Sequence, residues 1–224
     1  HVGERECSIQ RRSQKIIEEC PSPGISENER EKICEITINA FKKIGYQSLG
    51  TVEYLYSKGN FYFIEMNTRL QVEHTITEEV YNIDIVKEQI FIASGQKLSI
   101  TQNCVQKKCH SIECRINAEN PITLFPSTGM VTTYHPPGGP GIRVDSLLYS
   151  GCSVTAFYDG LVSKIISTGN TRSECIMRLK RALNEYVIEG IDTNISSLKN
   201  IITHVDFINC NFDISWFDKI SENS

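Results

Sequence analysis

Polar side chains occupy every second position of one short stretch in the first third of the chain. They are two carboxylates, an amide pair and a guanidinium: Glu65, Asn67, Arg69, Gln71 and Glu73. Side chains of an extended strand alternate between its faces, so these five share one face as far as the segment stays extended. Carboxylate and amide oxygens suit Mg²⁺, which usually takes one or two carboxylates together with substrate phosphates. The spacing indicates a site for a metal and an anionic substrate; the alternative is a solvated face of an antiparallel sheet.

The residues between the polar positions are apolar. Tyr62, Ile64 and Met66 would lie on the opposite face of the strand, which can be buried. We therefore expect one chemical face and one core face.

The preceding segment reads as a second strand over residues 51–56, followed by a turn over residues 57–60. A three-residue loop would set Ser57 opposite Phe61 and Glu53 opposite Glu65. Directly opposed like charges destabilise a sheet, and a divalent cation between them would reverse that effect. The hairpin thus predicts Glu53, Glu65 and Asn67 as metal ligands.

Composition excludes some classes of protein. The chain has 224 residues, 40% of them hydrophobic, and a net charge of −4, which does not favour nucleic-acid binding. No apolar run approaches the ~18 residues that a membrane span needs, so no membrane insertion is expected. The nine cysteines are odd in number and irregularly spaced, which is typical of reduced thiols inside a cell. The first residue is His1, which predicts a fragment or a processed form.

Local signals predict helices on both sides of the chemical stretch. Ser26 and Glu29 fit a capping box for a helix that Gly45 ends, Asp84 caps another, and Thr171 begins a third. The polar segment 96–110 has no helical periodicity and predicts a domain boundary.

A basic segment near the start offers anion-binding groups. Residues 10–15 read Gln-Arg-Arg-Ser-Gln-Lys, in which Lys15 supplies a compact cation and the arginines supply planar forks for oxyanions. The alternative is an exposed basic turn.

Residues 65–74, Glu-Met-Asn-Thr-Arg-Leu-Gln-Val-Glu-His, closely resemble the signature of biotin carboxylases, the ATP-grasp component of biotin-dependent carboxylases. The family form usually continues Pro-Val-Thr-Glu, where this chain has Thr75-Ile76-Thr77-Glu78. Carbamoyl-phosphate synthetases share the Glu-x-Asn core but not the continuation. Residues 10–15 and 113–119 also resemble family segments, and the resemblance extends over essentially the whole chain.

The resemblance implies an α+β fold in two parts. Residues 1–107 would be the C-terminal part of an ATP-grasp domain, an antiparallel sheet with helices, and residues 108–224 the biotin carboxylase C-terminal domain. The family's N-terminal domain, glycine-rich lid and adenine-binding residues are not among these segments. We therefore expect the chain alone to be inactive.

The resemblance also implies a role for each matching residue. The metal ligands would be Glu53, Glu65 and Asn67; the bicarbonate contacts would be Lys15, Arg69, Gln71 and Val72; the nucleotide contacts would be Gln10, Ser13, Glu53 and Glu65. Glu73 would be the general base, and Arg115 would hold biotin, so that Glu73, Arg69, Lys15 and Arg115 form the catalytic set. Many family members have histidine at the position of Ser13, and serine cannot supply its imidazole. Asp159 would lie near the site.

The implied reaction uses ATP, Mg²⁺ or Mn²⁺, and biotin carried on a partner. It is the ATP- and bicarbonate-dependent carboxylation of biotin, the first half-reaction of acetyl-CoA carboxylase in fatty acid synthesis. The implied partners are a biotin carboxyl carrier protein, carboxyltransferase subunits and a second copy of the chain in a homodimer. The implied location is the cytoplasm, or else a plastid or mitochondrion. Two alternatives remain: another ATP-grasp ligase, and a non-catalytic module for dimerisation or carrier docking.

Overall fold

A computed structural model describes residues 1–222. The chain forms two compact units, His1–Glu6 with Cys20–Lys108, and Cys7–Glu19 with the chain from Cys109 onward. The short segment 7–19 thus packs in the second unit, although it precedes the division at residue 107 that the sequence predicted. The reason is strand pairing, which the local sequence does not display.

The secondary structure mixes helices with strands, as the sequence predicted. The strands are β1 (Glu6–Arg11), β2 (Gln14–Cys20), β3 (Thr51–Ser57), β4 (Asn60–Asn67), β5 (His110–Asn117), β6 (Gly129–Met130), β7 (Thr133–His135), β8 (Ile142–Ser146), β9 (Ser153–Val154), β10 (Leu161–Gly169) and β11 (Val187–Glu189). The helices are α1 (Glu27–Ile44), α2 (His74–Tyr81), α3 (Ile85–Ala93), α4 (Arg172–Glu185), α5 (Ile195–Thr203), α6 (Val205–Ile208) and α7 (Trp216–Glu222), with a 3₁₀ turn at Gln102–Cys104. None of the helices within residues 1–222 has the length and apolar character needed to cross a membrane.

The helix caps of the first unit are those that the sequence predicted. At the start of α1 the Ser26 hydroxyl accepts a hydrogen bond from the Glu29 amide, and the Glu29 carboxylate accepts one from the Ser26 amide. Gly45 ends the helix with a left-handed φ of 64°. The Asp84 carboxylate accepts from the Lys87 amide at 2.8 Å and so begins α3.

Strands β3 and β4 form an antiparallel hairpin that brings Glu53 opposite Glu65. This pairing confirms the predicted one, but the predicted route to it was wrong. The turn has two residues, Lys58 and Gly59, both with positive φ, so Ser57 pairs with Asn60. A β-bulge between Glu53 and Tyr54 then restores the register.

The bulge also explains why the predicted core face was wrong. Opposed residues share a face, so pairing with Leu55 places Tyr62 on the same side of the hairpin as Glu53. Tyr62 is 57% exposed and Ile64 49% exposed. The opposite face of the hairpin, which carries Tyr54, contacts helix α1. The Tyr54 hydroxyl and the Thr37 hydroxyl of α1 are hydrogen-bonded at 2.9 Å.

The second unit is built on a five-stranded sheet in the order β1-β2-β5-β10-β8. Strand β10 pairs antiparallel with both β5 and β8. Helices α4 and α5 supply apolar side chains that cover the sheet. The large side chains that are fully buried in this core include Ile112, Ile116, Ile165, Leu179, Leu183, Leu198, Ile202 and Phe207. This core gives the strands that carry Lys15 and Arg115 a rigid support.

Candidate functional site

The side-chain amide of Asn67 lies between the two opposed carboxylates of the hairpin. Its Nδ2 donates to Glu65 Oε1 at 2.9 Å and to Glu53 Oε1 at 3.2 Å. Two carboxylate oxygens therefore converge on one point, which an electropositive group occupies. A hard cation suits two converging carboxylates, and the Asn67 amide would present its oxygen as a third ligand once its NH₂ group turns away. The residues present thus fit the magnesium site expected at Glu53, Glu65 and Asn67.

Strand β4 ends at Asn67, and the chain then enters a loop that leads to α2. Arg69, Gln71 and Glu73 consequently do not continue the strand face on which the sequence had placed them. Arg69 is exposed, and its guanidinium donates to the Leu70 carbonyl at 3.1 Å. The loop, rather than strand alternation, sets the direction of these side chains.

Gln71 is almost fully buried in that loop, with 6% of its surface exposed. Its Nε2 donates to Glu53 Oε1 at 2.9 Å, and its Oε1 accepts a hydrogen bond from Arg5 at 2.7 Å. The loop is therefore tied to the candidate metal carboxylate through one amide. Val72, the neighbouring residue, is half-buried.

Glu73 lies at the N-cap position of α2 and is 2% exposed. The start of a helix favours negative charge, because the first backbone N–H groups point towards it. Arg5 approaches the same carboxylate, with 4.0 Å between its Nη2 and Glu73 Oε1. The His74 ring contacts the Gln71 carbonyl at 2.8 Å through Nδ1, so this histidine holds the loop. The carboxylate expected to act as base is thus almost fully buried at the start of a helix, with the Arg5 guanidinium nearby.

In the second unit, the basic segment forms the hairpin between β1 and β2. Gln10 donates through Nε2 to the Cys7 carbonyl at 2.9 Å. Ser13 is exposed at the turn with a φ of 63°, and Lys15 is half-buried on β2. Arg11 makes a two-pronged ion pair with Glu119, which ties the hairpin to the segment after β5.

Arg115 lies on β5 and is held by a buried acid on β2. Its Nε donates to Glu18 Oε1 at 2.6 Å; 16% of the arginine side chain and none of the glutamate side chain is exposed. The Asn194 amide donates to the Arg115 carbonyl at 3.0 Å, which fixes the backbone at that point. Asp159 is exposed, and its carboxylate accepts from the Leu161 amide at 2.9 Å.

The predicted site residues divide between the two units. One group lies in the first unit: Glu53, Glu65, Asn67, Arg69, Gln71, Val72 and Glu73. Hydrogen bonds join four of these residues, namely Glu65, Asn67, Glu53 and Gln71. The other group lies in the second unit: Gln10, Ser13, Lys15 and Arg115.

Sequence reasoning missed Arg5 and Glu18. Arg5 is a single arginine between two glutamates in a polar start, and its partners are 46 to 72 residues away. No local pattern indicates such contacts. Glu18 follows two isoleucines on β2, and a carboxylate in an apolar run is a signal for a buried ion pair.

Two known families match the chain. The family "Biotin carboxylase C-terminal domain" matches residues 113–219, and the family "Carbamoyl-phosphate synthase L chain, ATP binding domain" matches residues 1–101. The match to the second family includes the candidate metal residues, and the match to the first includes Arg115.

Individual relatives agree with these matches. A biotin carboxylase of Allochromatium vinosum is 49% identical over 98% of this chain and 49% of its own length. A pyruvate carboxylase subunit of Methanothermobacter thermautotrophicus is 51% identical over 92% of this chain and 42% of its own length.

A solved structure is similar at the level of the fold as well. The biotin carboxylase domain dimer of a Hydrogenobacter thermophilus 2-oxoglutarate carboxylase, in complex with MgADP, ADP and bicarbonate, has a TM-score of 0.95. It is 43% identical, and the match covers 98% of this chain and 49% of that one. This chain spans about half the length of the curated relatives it matches. On these grounds the chain belongs to the biotin carboxylase family and corresponds to the C-terminal half of its members.

Proposed function

We propose that this chain contributes the metal, bicarbonate and biotin groups of a biotin carboxylase. In the proposed reaction, bicarbonate attacks the γ-phosphate of ATP to give carboxyphosphate and ADP. Carboxyphosphate then breaks into CO₂ and phosphate, and CO₂ bonds to N1 of biotin carried on a partner protein while the N1 proton passes to the released phosphate. The nucleotide-binding groups of the other half of the relatives would complete the reaction.

Glu53, Glu65 and Asn67 hold the metal in this proposal. Bound Mg²⁺ or Mn²⁺ neutralises charge on the ATP phosphates. The two carboxylates are already directed at a common point beside Asn67, and the Asn67 amide would turn its oxygen to the bound metal. Gln10 and Ser13 are the proposed nucleotide contacts in the second unit, and serine at position 13 cannot supply the imidazole of the usual histidine.

Glu73 acts as the general base that accepts the bicarbonate proton. Its burial at the start of α2 excludes water, and the Arg5 guanidinium stabilises the charged form. Lys15, Arg69, Gln71 and the Val72 backbone bind the bicarbonate oxygens. Cations and amide donors of this kind stabilise the negative charge that develops on those oxygens.

Arg115 holds biotin and stabilises the enolate-like form of its ureido group. The buried Glu18 carboxylate keeps the guanidinium in place. The proposed partners are a biotin carboxyl carrier protein, carboxyltransferase subunits and a second copy of the chain. We assign the reaction to acetyl-CoA carboxylase in fatty acid synthesis, in the cytoplasm or else in a plastid or mitochondrion.

One observation carries the proposal: hydrogen bonds join three residues of the signature to Glu53 of the neighbouring strand, in the order Glu65, Asn67, Glu53 and Gln71. A solvated strand face would leave all four groups to water, whereas Gln71 is almost fully buried and only Glu65 of the four is exposed. Their convergence instead supports a site that binds a cation beside an anionic substrate.

The test is ATP cleavage by the full-length gene product with bicarbonate, with and without free biotin. Glu73→Gln keeps the shape of the side chain but removes the base, and we expect its kcat to fall by about 10²–10⁴-fold. Biotin-stimulated cleavage in the wild type that collapses in this variant supports the proposal. Glu79→Gln, on the same helix, is the matched control and should keep its activity.

Other outcomes select the alternatives. ATP cleavage that does not respond to biotin would identify another ATP-grasp ligase, in keeping with the carbamoyl-phosphate synthase name of the matched ATP-binding family. A folded protein that cleaves no ATP would favour a non-catalytic module for dimerisation or carrier docking.

A further inference from the structure

Arg5 joins three elements of the first unit through one guanidinium. It donates to the Thr51 hydroxyl on β3 at 3.3 Å, to the Thr77 hydroxyl on α2 at 3.0 Å and to Gln71 Oε1 in the loop at 2.7 Å. Only 12% of its side chain is exposed. A planar guanidinium with several fixed donors is suited to hold such a geometry, which the single point charge of lysine cannot reproduce.

The contact with Gln71 fixes which way that amide points. Its oxygen faces the Arg5 cation, so its NH₂ group faces the other way and donates to Glu53 Oε1 at 2.9 Å. A charge-assisted hydrogen bond is stronger than a neutral one, so the reversed amide would be disfavoured at both ends. Arg5 therefore determines the hydrogen bond that Glu53 accepts from Gln71.

The same guanidinium lies beside Glu73, at 4.0 Å between Nη2 and Oε1. Arg5 thus stands between the carboxylate expected to act as base and the amide that reaches the metal carboxylate. Gln71 and Glu73 are both almost fully buried, so little room is left for other groups to contact them.

We propose that Arg5 is a positioning residue, which aligns Glu73 and, through Gln71, Glu53 before substrate binds. This inference rests on the proposed function, since it assigns Arg5 to the same site. Arg5 itself touches neither substrate nor metal in this scheme. The competing explanation is that Arg5 merely fastens β3 to α2 through its two threonine contacts.

Two substitutions of Arg5 separate these explanations. In the full-length gene product, Arg5→Lys keeps a cation but loses the fork, and Arg5→Met loses both. We expect each to weaken the binding of Mn²⁺, titrated directly with and without ADP, by about 10-fold, as is usual when a residue that orients a metal ligand is lost. We expect kcat measured at saturating metal and ATP to fall as well, with a smaller loss in Arg5→Lys because it keeps charge beside Glu73.

Thr77→Val is the matched control, since it removes one Arg5 contact and leaves the Gln71 contact intact. It should lower thermal stability but leave Mn²⁺ affinity and kcat unchanged. A double-mutant cycle adds a second readout: in a Gln71→Met background, Arg5→Lys should no longer change Mn²⁺ affinity. If Arg5→Met does not fold, Arg5→Lys and this cycle still decide the question.

Two results would overturn the inference while leaving the proposed function intact. One is a wild type with biotin-dependent ATP cleavage whose Arg5 variants bind Mn²⁺ normally. The other is a Thr77→Val variant that loses as much Mn²⁺ affinity as Arg5→Lys. A wild type that binds no Mn²⁺ in either condition would instead refute the metal site and, with it, the role of Arg5.

Discussion

Asn67 donates its side-chain amide to the Glu53 carboxylate at 3.2 Å, and the same nitrogen donates to Glu65. The Asn67 N–H groups therefore offset the repulsion between the two carboxylates, as a bound cation would. The hairpin keeps two like charges opposed because this amide compensates them. The relationship makes the stability of the hairpin sensitive to any change at Asn67.

Asn67→Asp should make folding stability depend on divalent metal. The substitution replaces the donor with a third carboxylate, so the lost hydrogen bonds and the added repulsion should cost about 1–2 kcal/mol in EDTA. Mg²⁺ should recover part of that loss. Thermal unfolding with EDTA or Mg²⁺ measures both effects, with Asn60→Asp on the same hairpin as control. An equal response to Mg²⁺ in the control would contradict the prediction.

Glu19→Leu should be strongly destabilising. The buried Glu19 carboxylate accepts from Arg172 at 2.8 Å and contacts the His110 ring at 2.9 Å, so its removal leaves a largely buried cation without its carboxylate partner. Breaking a buried pair in this way costs about 3–5 kcal/mol.

Urea unfolding of Glu19→Leu measures this loss directly. Glu185→Leu is the comparison, because the Glu185–Arg181 pair is nearly half exposed and such pairs contribute about 0–1 kcal/mol. Similar losses in the two variants would show that the Glu19 pair contributes no more than a surface pair.

Thiol labelling should follow burial. Burial is the largest cause that raises the pKa of Cys175 to about 12 and that of Cys34 to about 11. Only the thiolate reacts, so both should resist iodoacetamide at pH 8 in the native protein, whereas exposed Cys104 should react first. Peptide mass spectrometry over time gives the order, and an unfolded sample is the control. Native labelling of Cys175 as fast as Cys104 would refute the predicted order.

Glu29→Ala should destabilise the protein at neutral pH but not in strong acid. Hydrogen bonds from Ser26 and then from the Tyr56 hydroxyl lower the pKa of Glu29 to about 2 from its ordinary 4.5. A carboxyl group with a lowered pKa stabilises the fold above pH 4.5, and this contribution is lost as the pH falls from 4.5 towards 2.

The melting-temperature difference between wild type and Glu29→Ala should therefore shrink over that pH range. Thermal unfolding at several pH values provides the measurement. Glu31→Ala, an exposed acid on the same helix, should show no comparable trend. A constant difference for Glu29→Ala from pH 7 to pH 2 would exclude the carboxylate contacts as its source.

Features set by neighbouring residues could be predicted from the sequence. The caps at Ser26, Asp84 and Thr171 each depend on contacts within three residues, and the structure contains all three. The signature motif identified the family for a similar reason, because its residue types stand at fixed spacing. The opposed pair of Glu53 and Glu65 was also predicted, although the count assumed a three-residue turn and is correct only because the β-bulge offsets the shorter turn.

Features set by distant contacts could not be predicted. Segment 7–19 packs in the second unit because its strands join the sheet of β5, about 90 residues later. The end of β4 at Asn67 redirects Gln71, although strand alternation had suggested a continuous face. Arg5 contacts residues in three other elements, and no short pattern records that arrangement.

Because of the β-bulge between Glu53 and Tyr54, two different turn lengths give the same pairing of the two glutamates. A two-residue turn with the bulge, and a three-residue turn without it, bring the same two glutamates opposite each other. Related chains could therefore gain a residue at the tip and lose one at Ile64 without changing the carboxylate pair. A sequence alignment that places gaps only at the tip of the hairpin would misalign the residues between the tip and the bulge. An insertion at the tip should therefore be aligned together with a deletion at the bulge.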